Sequence, residues 1–233
     1  ERMLKFMGAG ISVKGKRIVL RPGPLAAGTL TVPGDISSAA FFIAAALISG
    51  RSVRIRSCGL NRLRLGFVRS LKRMDAAISI KPVTERPEPC GTLRVEPSRL
   101  RAGRFAAGEV PAMIDEIPLL AVIAAAAAGT TVIGGVEPLR AKESDRIEST
   151  LALLASLGAE GSYGGGSLRI TGASSFSALR PVETFGDHRI AMAAAAASTV
   201  CPGLEIRGPG CVNKSYPGFW KDFKKVFGPA AAR

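Results

Sequence analysis

The sequence predicts a mixed α/β fold built from three repeats of a strand–helix–strand–helix–strand unit. Three Ala-rich apolar stretches each begin with an aspartate, at Asp35, Asp115 and Asp187. They recur roughly every 75 residues, which indicates an internal structural repeat. Each stretch is followed by a run that favours a strand, and two of the stretches are followed further on by an amphipathic helix. The simplest packing places the three apolar helices parallel at the centre, with small sheets around them.

The first 34 residues are predicted to form a short helix that ends at Gly8 and then two short strands. The strands cover 17–20 and 28–32, and the Pro-Gly-Pro sequence at 22–24 is a turn between them. The first repeat follows from Asp35. Its predicted elements are an apolar helix, a strand, an amphipathic helix, a strand, a proline-rich loop and a strand, at 35–50, 52–56, 64–74, 77–80, 81–90 and 92–95.

The second repeat contains the longest apolar stretch, at 114–128, so we expect a helix that is buried on all sides. It opens with Asp115 and Glu116, where the helix dipole favours negative charge, and it stops at Gly129. A strand, an amphipathic helix, a loop and a strand are predicted next, at 130–133, 144–158, 161–166 and 167–171. The third repeat is predicted to contain an apolar helix, a strand and a closing helix, at 187–198, 204–206 and 219–227.

The composition is strongly basic, with 32 Lys and Arg against 18 Asp and Glu and a net charge of +14. This balance favours nucleic acid, a membrane surface or small anions as partners. The densest basic run, 51–73, interleaves its bases with apolar side chains, which is typical of a solvated face over a core. A basic nucleic-acid-binding module is the alternative interpretation. Only 6% of the residues are aromatic, and no zinc-finger, RNP-like or GXXG motif is present, so we expect no nucleic-acid binding.

The cysteines and the apolar runs argue against metal and membrane sites. The four cysteines, at 58, 90, 201 and 211, lack metal-binding spacing, so we expect reduced thiols and no metal site. The longest apolar run is mostly Ala and contains Pro118, and it falls short of the roughly 20 strongly apolar residues of a membrane span. No signal peptide is visible in the opening sequence ERMLKFMGAG. We therefore expect a soluble protein.

Parallel packing of the three apolar helices would bring their N-termini to one face, where the positive dipole ends favour an anion. Asp115 lies at one of these ends, and the charged run KESDR at 142–146 follows one strand later, where the chain returns to the same face. A simpler interpretation exists for each acid. Asp35, Asp115 and Asp187 could be helix caps, and Ser144 could cap the helix that follows it. The residue patterns leave both interpretations open.

Three further residues are candidates near the third apolar helix. Arg189 lies in its first turn, where a positive charge opposes the helix dipole. This placement indicates an anionic ligand, because a guanidinium group binds carboxylate and phosphate through two N–H groups. His188 is the only histidine, and a lone histidine beside an arginine is more often a structural hydrogen-bonding residue than a catalyst. Lys214 precedes the closing helix and could be an ordinary surface lysine.

The segments that hold these residues resemble a known family. PAMIDEIPLLAVIAA, LRAKESDRI, FGDHRIAMA and NKSYPGFW resemble the signature segments of the 5-enolpyruvylshikimate-3-phosphate synthase (3-phosphoshikimate 1-carboxyvinyltransferase) family. DISSAAFFIAAA resembles the segment where that family's chain crosses into its second large domain. The combination of KESDR with GDHRxAM is specific, because the related enzyme that acts on UDP-N-acetylglucosamine lacks it. The resemblance runs in order over essentially the whole sequence and implies an inverse α/β barrel lobe of three βαβαββ repeats.

The resemblance implies a transferase reaction of the shikimate pathway, in aromatic amino acid biosynthesis, without a metal or organic cofactor. Phosphoenolpyruvate loses its phosphate, and its enolpyruvyl group moves to the 5-hydroxyl group of shikimate 3-phosphate. Such a step needs a base for the hydroxyl proton and an acid for the vinyl carbon. By motif, Asp115 is implied to meet the shikimate hydroxyl groups as the base. Glu143 is implied to lie near the phosphoenolpyruvate methylene group.

The resemblance also implies roles for the remaining candidates. Arg146 and Arg189 match arginines that bind the anionic groups of phosphoenolpyruvate. Lys142 matches a lysine that faces the shikimate hydroxyl groups. Lys214 matches a lysine that helps to bind phosphoenolpyruvate or to move a proton, and His188 is interpreted as a supporting residue.

One departure from the family concerns the extent of the sequence. The family's chain has two lobes of three repeats each, with the substrates between them. The resemblance assigns residues 1–34 to the first, N-terminal lobe and 35–233 to the second lobe. The first-lobe cations that hold both phosphates have no counterpart here, so we expect a C-terminal portion that needs the first lobe as a partner and is inactive alone. We also expect a monomer in the cytoplasm, or in the plastid if the parent protein comes from a plant.

Overall fold

The computed structural model describes residues 1–85, 87–173 and 175–230. Its α-helices are α1 Arg2–Phe6, α2 Ile36–Ser49, α3 Gly66–Arg73, α4 Ile117–Ala125, α5 Arg146–Ser156, α6 His188–Ser198 and α7 Phe219–Phe227. Its strands are β1 Gly10–Lys14, β2 Arg17–Arg21, β3 Val53–Gly59, β4 Ile78–Thr84, β5 Cys90–Val95, β6 Arg104–Phe105, β7 Thr130–Gly134, β8 Glu160–Gly164, β9 Ser167–Thr171, β10 Val182–Glu183 and β11 Ile206–Arg207. Within these ranges no helix is long and apolar enough to cross a membrane.

The centre of the molecule is formed by α2, α4 and α6, which pack against one another. Their alanines are wholly buried, as at Ala44, Ala124 and Ala194. Since an alanine has no side-chain atom beyond Cβ, such faces let the helix backbones come close. Every residue of α4 is buried. The prediction of Ala-rich helices buried at the centre of the fold is confirmed.

Small sheets surround the central helices, and each repeat uses the same pairing scheme. The segment before each central helix pairs in parallel with the strand after it: Gly34 bridges to Cys58, β6 pairs with β7, and β10 pairs with β11. The first two repeats add antiparallel strands, in the orders β3-β5-β4 and β6-β7-β9-β8. The third passes from β11 to α7, and over the described residues no antiparallel pair follows. The mixed α/β repeat fold is confirmed.

The central helix of the second repeat is shorter than the predicted helix at 114–128. Ile114–Glu116 forms a 3-10 turn that leads directly into α4. Pro118 explains this start, because proline lacks the N–H group that a helix interior needs but fits the first turn. No side chain caps α4, so the alternative interpretation of Asp115 as a helix cap is wrong. The Asp115 carboxylate is therefore available to other groups.

Sequence patterns missed four of the described strands, β1, β6, β8 and β10, and misplaced others. β1 and β8 were not predicted, and they form as hairpin partners of β2 and β9. Their glycines and polar residues hid them, since pairing stabilises such strands more than intrinsic preference does. The strand predicted at 28–32 is wrong, because these residues pair with no strand in the described structure. β4 continues into the predicted loop at 81–90, where it pairs with β5.

Residues 1–34 lie outside the core. Helix α1 buries no residue, and the β1–β2 hairpin exposes apolar side chains such as Ile18 and Leu20. The buried core begins with Ile36, at the start of α2. The division into two lobes between residues 34 and 35 stays a prediction.

Candidate active site

The first turns of α5 and α6 meet around a buried ion pair. The side chains of Arg146 and Asp187 are 1% and 0% exposed. Arg146 Nε donates to Asp187 Oδ2 over 2.7 Å, and Nη2 donates to Oδ1 over 3.3 Å. Two N–H···O bonds of this kind satisfy both charges, which a buried ion pair needs if it is to be tolerated.

The same guanidinium group contacts two carboxylates from other parts of the chain. Arg146 Nη1 donates to Asp115 Oδ1 over 3.0 Å, and Nη2 donates to Glu143 Oε2 over 2.5 Å. All three nitrogens of the group therefore donate to carboxylates. Burial lowers the pKa of Arg146, but attraction to Asp187, Glu143 and Asp115 outweighs burial and raises it above its ordinary value. The starts of α4, α5 and α6 are thereby joined at one point.

Asp187, for which the sequence pattern indicates only a helix cap, has a second role as the buried partner of Arg146. It is the N-cap of α6 and accepts a bond from the backbone N–H of Arg189 over 2.9 Å. It also accepts a bond from the Ser144 hydroxyl group over 3.1 Å. Burial raises the pKa of Asp187, but Arg146 and these hydrogen bonds hold it below its ordinary value. Asp187 therefore stays ionised inside the protein.

The other predicted caps are partly confirmed. Asp35 caps α2 through the backbone N–H of Ser38, as predicted. Asp145, not the predicted Ser144, caps α5. The reason is the position of the first helical residue, which comes directly after Asp145. The Ser144 hydroxyl group bonds to Asp187 instead.

Asp115 faces three cations, and its side chain keeps 35% exposure. Lys142 Nζ and Arg146 Nη1 lie 3.2 Å and 3.0 Å from Asp115 Oδ1. Arg189 Nη2 lies 3.6 Å from Asp115 Oδ2. Burial raises the pKa of Asp115, but Arg189, Lys142 and Arg146 together lower it. The carboxylate is therefore ionised at neutral pH and can accept a hydrogen bond from a hydroxyl group.

Arg189 and His188 flank this cluster on α6. The Arg189 side chain is 15% exposed, and its Nη1 donates to the backbone carbonyl of Asp115 over 3.1 Å. Burial and the charge of Arg189 lower the pKa of His188, so its imidazole is neutral at pH 7. His188 Nδ1 lies 4.0 Å from Asp187 Oδ1, and the described part of the chain offers it no hydrogen-bond partner.

The structure brings all but one of the predicted site residues together. The residues that meet around the helix starts are Asp115, Lys142, Glu143, Arg146, His188 and Arg189. Lys214 differs from them. It is exposed at the end of the 3-10 turn Pro209–Lys214, and across the described residues its side chain makes no hydrogen bond or ion pair.

The contacts give no support to nucleic-acid binding. The basic run 51–73 is divided between β3, the 3-10 turn Arg62–Arg64 and α3. Arg64 donates to Ser37, and Arg73 pairs with Glu109, so these side chains serve contacts within the fold.

Of the residues that are described, no group of His, Cys, Asp and Glu is placed to hold a metal ion.

The three-repeat fold, with charges gathered at its helix starts, defines a class of protein. The chain matches the enolpyruvyl transferase NikO from Streptomyces tendae with a TM-score of 0.71 over 96% of this chain and 51% of that chain. The identity is 22%, so this match shows a shared fold alone. The fold is that of the enolpyruvyl transferases.

The family follows from matches of higher identity. The sequence profile of EPSP synthase (3-phosphoshikimate 1-carboxyvinyltransferase) matches residues 1–223. The 3-phosphoshikimate 1-carboxyvinyltransferases of Endomicrobium trichonymphae and Thermus thermophilus are 46% and 41% identical over 231 residues, or 97% of this chain. The EPSP synthase structure from Acinetobacter baumannii matches 97% of this chain with a TM-score of 0.90 and 32% identity. The chain belongs to the EPSP synthase family.

The chain spans about half the length of the curated relatives it matches. It covers 54% of the Endomicrobium trichonymphae protein, 53% of the Thermus thermophilus protein and 53% of the Acinetobacter baumannii chain. The predicted family is confirmed, and the coverage agrees with the predicted partial extent. The roles of the individual site residues stay predictions.

Proposed function

We propose that this chain contributes one lobe of an enzyme that transfers the enolpyruvyl group of phosphoenolpyruvate to the 5-hydroxyl group of shikimate 3-phosphate and releases phosphate. Membership in the EPSP synthase family supports this reaction. The structural observation that carries it is the ionised carboxylate of Asp115 set among Lys142, Arg146 and Arg189. A site of this composition suits substrates that carry both hydroxyl and anionic groups.

The reaction can be balanced with acids and bases alone. Protonation of the phosphoenolpyruvate methylene carbon makes the neighbouring carbon electrophilic, and the 5-hydroxyl oxygen bonds to it while its proton passes to a base. The carbon–oxygen bond to phosphate then breaks, and loss of a proton from the new methyl group restores the double bond. This agrees with the cofactor-free reaction that the family resemblance implies.

Asp115 and Glu143 are the carboxylates proposed to handle these protons. Asp115 is ionised and partly exposed, so it can accept the hydroxyl proton. Its lowered pKa makes it a weak base, so proton transfer should accompany formation of the carbon–oxygen bond. Lys142 Nζ lies 3.2 Å from Asp115 Oδ1 and holds this carboxylate. Glu143 is also partly exposed, and we assign it to the methylene carbon.

Arg189 and Lys214 are the cations proposed to bind the anionic groups of phosphoenolpyruvate. Arg189 keeps partial exposure, and Lys214 is free to approach a phosphate group. Anion binding by Arg146 stays a prediction. All three of its guanidinium nitrogens already donate to carboxylates of the protein. Those contacts support a holding role for Arg146, with His188 as a neutral supporting residue.

The rest of the active site is proposed to come from a first lobe of the same protein. We assign residues 1–34 to that lobe and 35–233 to the second lobe, and domain closure would complete the site. The exposed apolar side chains of the β1–β2 hairpin support a partner surface there. We expect the complete protein to be a monomer in the cytoplasm, or in the plastid of a plant.

The test is an assay of product formation from phosphoenolpyruvate and shikimate 3-phosphate. The full-length protein that contains this chain should turn over, and the 233-residue chain alone should not. Adding the separately produced first lobe to this chain should restore measurable turnover. A full-length protein that forms no product from both substrates would contradict the proposal.

A substitution at Asp115 tests the base. Asp115→Asn in the full-length protein should lower kcat by about 10²–10⁴-fold, the usual contribution of a general base. The control is Asp75→Asn, which changes an exposed carboxylate that pairs with Arg101. Asp75 has a φ of 66°, a left-handed conformation that asparagine also tolerates, so the control should keep the wild-type kcat.

A further inference from the structure

Glu116 is a second carboxylate beside Arg189, and none of the roles assigned above uses it. It ends the 3-10 turn Ile114–Glu116, directly after Asp115, and its side chain is only 8% exposed. An ionised carboxylate this deeply buried is unfavourable unless it is paired and hydrogen-bonded. The groups that pair with Glu116 therefore indicate what it holds in place.

The cation paired with Glu116 is Arg189. Arg189 Nη1 lies 3.4 Å from Glu116 Oε1, and the same nitrogen donates to the backbone carbonyl of Asp115 over 3.1 Å. Two acceptors on one nitrogen fix the guanidinium group from one side. In the portion of the chain that is described, the Nε–H of Arg189 has no acceptor. That edge of the guanidinium group is available to a ligand.

On its other side, Glu116 is reached by polar groups at the start of α2. Ser37 is buried, lowers the pKa of Glu116, and its hydroxyl group accepts a bond from Arg64 Nη2 over 2.8 Å. Arg64 in turn lies 3.5 Å from Asp35, the N-cap of α2. Burial raises the pKa of Glu116, and Ser37 and Arg189 offset only part of that rise. Glu116 therefore lies in a polar environment at the start of α2 while it pairs with Arg189 on α6.

We propose that Glu116 is a positioning residue that holds Arg189 in the orientation in which its free edge binds an anionic group of phosphoenolpyruvate. This inference rests on the proposed function, since it takes Arg189 as a substrate contact. A free arginine side chain loses rotamer freedom when it binds a ligand. Fixing the side chain beforehand removes that loss from the binding step and so tightens binding.

The experiment compares Glu116→Ala and Glu116→Gln in the full-length protein, with KM measured separately for the two substrates. Glu116→Ala should raise KM for phosphoenolpyruvate about tenfold with kcat nearly unchanged, because uniform binding is lost. KM for shikimate 3-phosphate should stay at the wild-type value. Glu116→Gln keeps an oxygen that accepts the bond from Arg189 Nη1, so it should restore KM to within about threefold of the wild type.

A matched control removes a different arginine-paired carboxylate. Glu183 is exposed and pairs with Arg207 Nη1 over 2.9 Å. Glu183→Ala should leave kcat and both KM values unchanged. Thermal unfolding of each variant shows whether the protein assayed is folded.

The outcomes separate this inference from the proposed function. If Glu116→Ala lowers kcat while both KM values stay constant, Glu116 is only structural and the inference is overturned. An equal rise in KM for both substrates overturns it too, and in either case the wild-type turnover leaves the proposed function standing. Absence of turnover by the wild-type protein overturns the proposed function and this inference together.

Discussion

The starts of α5 and α6 each carry an arginine, and the two arginines have opposite surroundings. Arg146, at the start of α5, is 1% exposed, and all three of its guanidinium nitrogens donate to carboxylates. Arg189, in the first turn of α6, is 15% exposed, and its Nε–H meets no acceptor among the residues described. The Asp115 carboxylate lies against both arginines.

The difference shows that an arginine at a helix start does not by itself indicate a ligand. A positive charge there opposes the helix dipole and needs compensation. For Arg146 the protein supplies that compensation in full, through Asp187, Asp115 and Glu143. For Arg189 part of the hydrogen-bonding capacity stays unused. The unused donors, and not the residue type, mark the side chain that is suited to an anion.

The largest stability effect is expected from Arg146→Met, which removes the arginine whose nitrogens all donate to carboxylates. The substitution leaves Asp187 buried without its cation, so the free energy of unfolding should fall by about 3–5 kcal/mol. Urea unfolding of the full-length protein, followed by circular dichroism, measures this. Arg207→Met is the control, because it removes an exposed ion pair and should change stability by less than about 1 kcal/mol. An equal loss in the free energy of unfolding for the two variants would show that Arg146 and its carboxylate partners (the Arg146 cluster) do not stabilise the fold more than a surface ion pair does.

Arg189→Lys tests the arginine that keeps an unused N–H donor. Lysine keeps the positive charge opposite Glu116 but loses the two-pronged guanidinium geometry, so KM for phosphoenolpyruvate should rise about ten- to a hundredfold. The free energy of unfolding should change by less than about 1 kcal/mol. Steady-state kinetics and urea unfolding of the same preparation check both statements. A variant that loses stability and keeps its KM would reverse the assignment of the two arginines.

Acid should lower the stability of the protein mainly by protonating the carboxylates that pair with Arg146. The pKa values of Asp187 and Asp115 are both lowered in the folded protein. Such groups contribute stability that is present above the pKa of the unfolded chain, about 4, and that is lost as pH falls through the folded pKa. Arg146→Met removes a cation that lowers both pKa values, so its stability should fall less steeply below about pH 4. Urea midpoints at several pH values measure this, and a slope equal to that of the wild type would contradict it.

The smallest effect is expected at the start of α2, a third helix start that carries no arginine. Asp35 caps this helix through the backbone N–H of Ser38. Asp35→Ala should lower the free energy of unfolding by about 1 kcal/mol, the usual value of an N-cap. Asp35→Asn keeps a capping oxygen and should be nearly neutral in the same urea experiment. A loss as large as that of Arg146→Met would show that all three helix starts are equally critical.

Much of the fold could be predicted from the sequence because its signals are local. The unbroken apolar character of the central helices indicates burial without any knowledge of their partners. The closing helix has the predicted bounds, Phe219–Phe227, since its aromatic residues recur at helical spacing. The strands β1 and β8 could not be predicted in this way, because their stability comes from the partner strand.

The centre of the candidate site depends on contacts that no local pattern encodes. Arg146 and Asp187 are 41 residues apart in the chain. Asp187 carries the signal of a helix cap, which it also is, and that local role hides the second one. Glu116 was interpreted as a helix-start acid for the same reason. In both cases the side chain's partner on another helix decides its function.

The Arg146 cluster also determines how the molecule can fold. Repeat proteins usually add their units one after another, since each unit contacts only its neighbours. Arg146 belongs to the second repeat, and the carboxylate that closes its environment, Asp187, belongs to the third. Without the third repeat, Arg146 would lose the buried carboxylate it pairs with, so we expect the two repeats to form in a single cooperative step. A chain cut before α6 would lose the order of both repeats and would not simply become one repeat shorter.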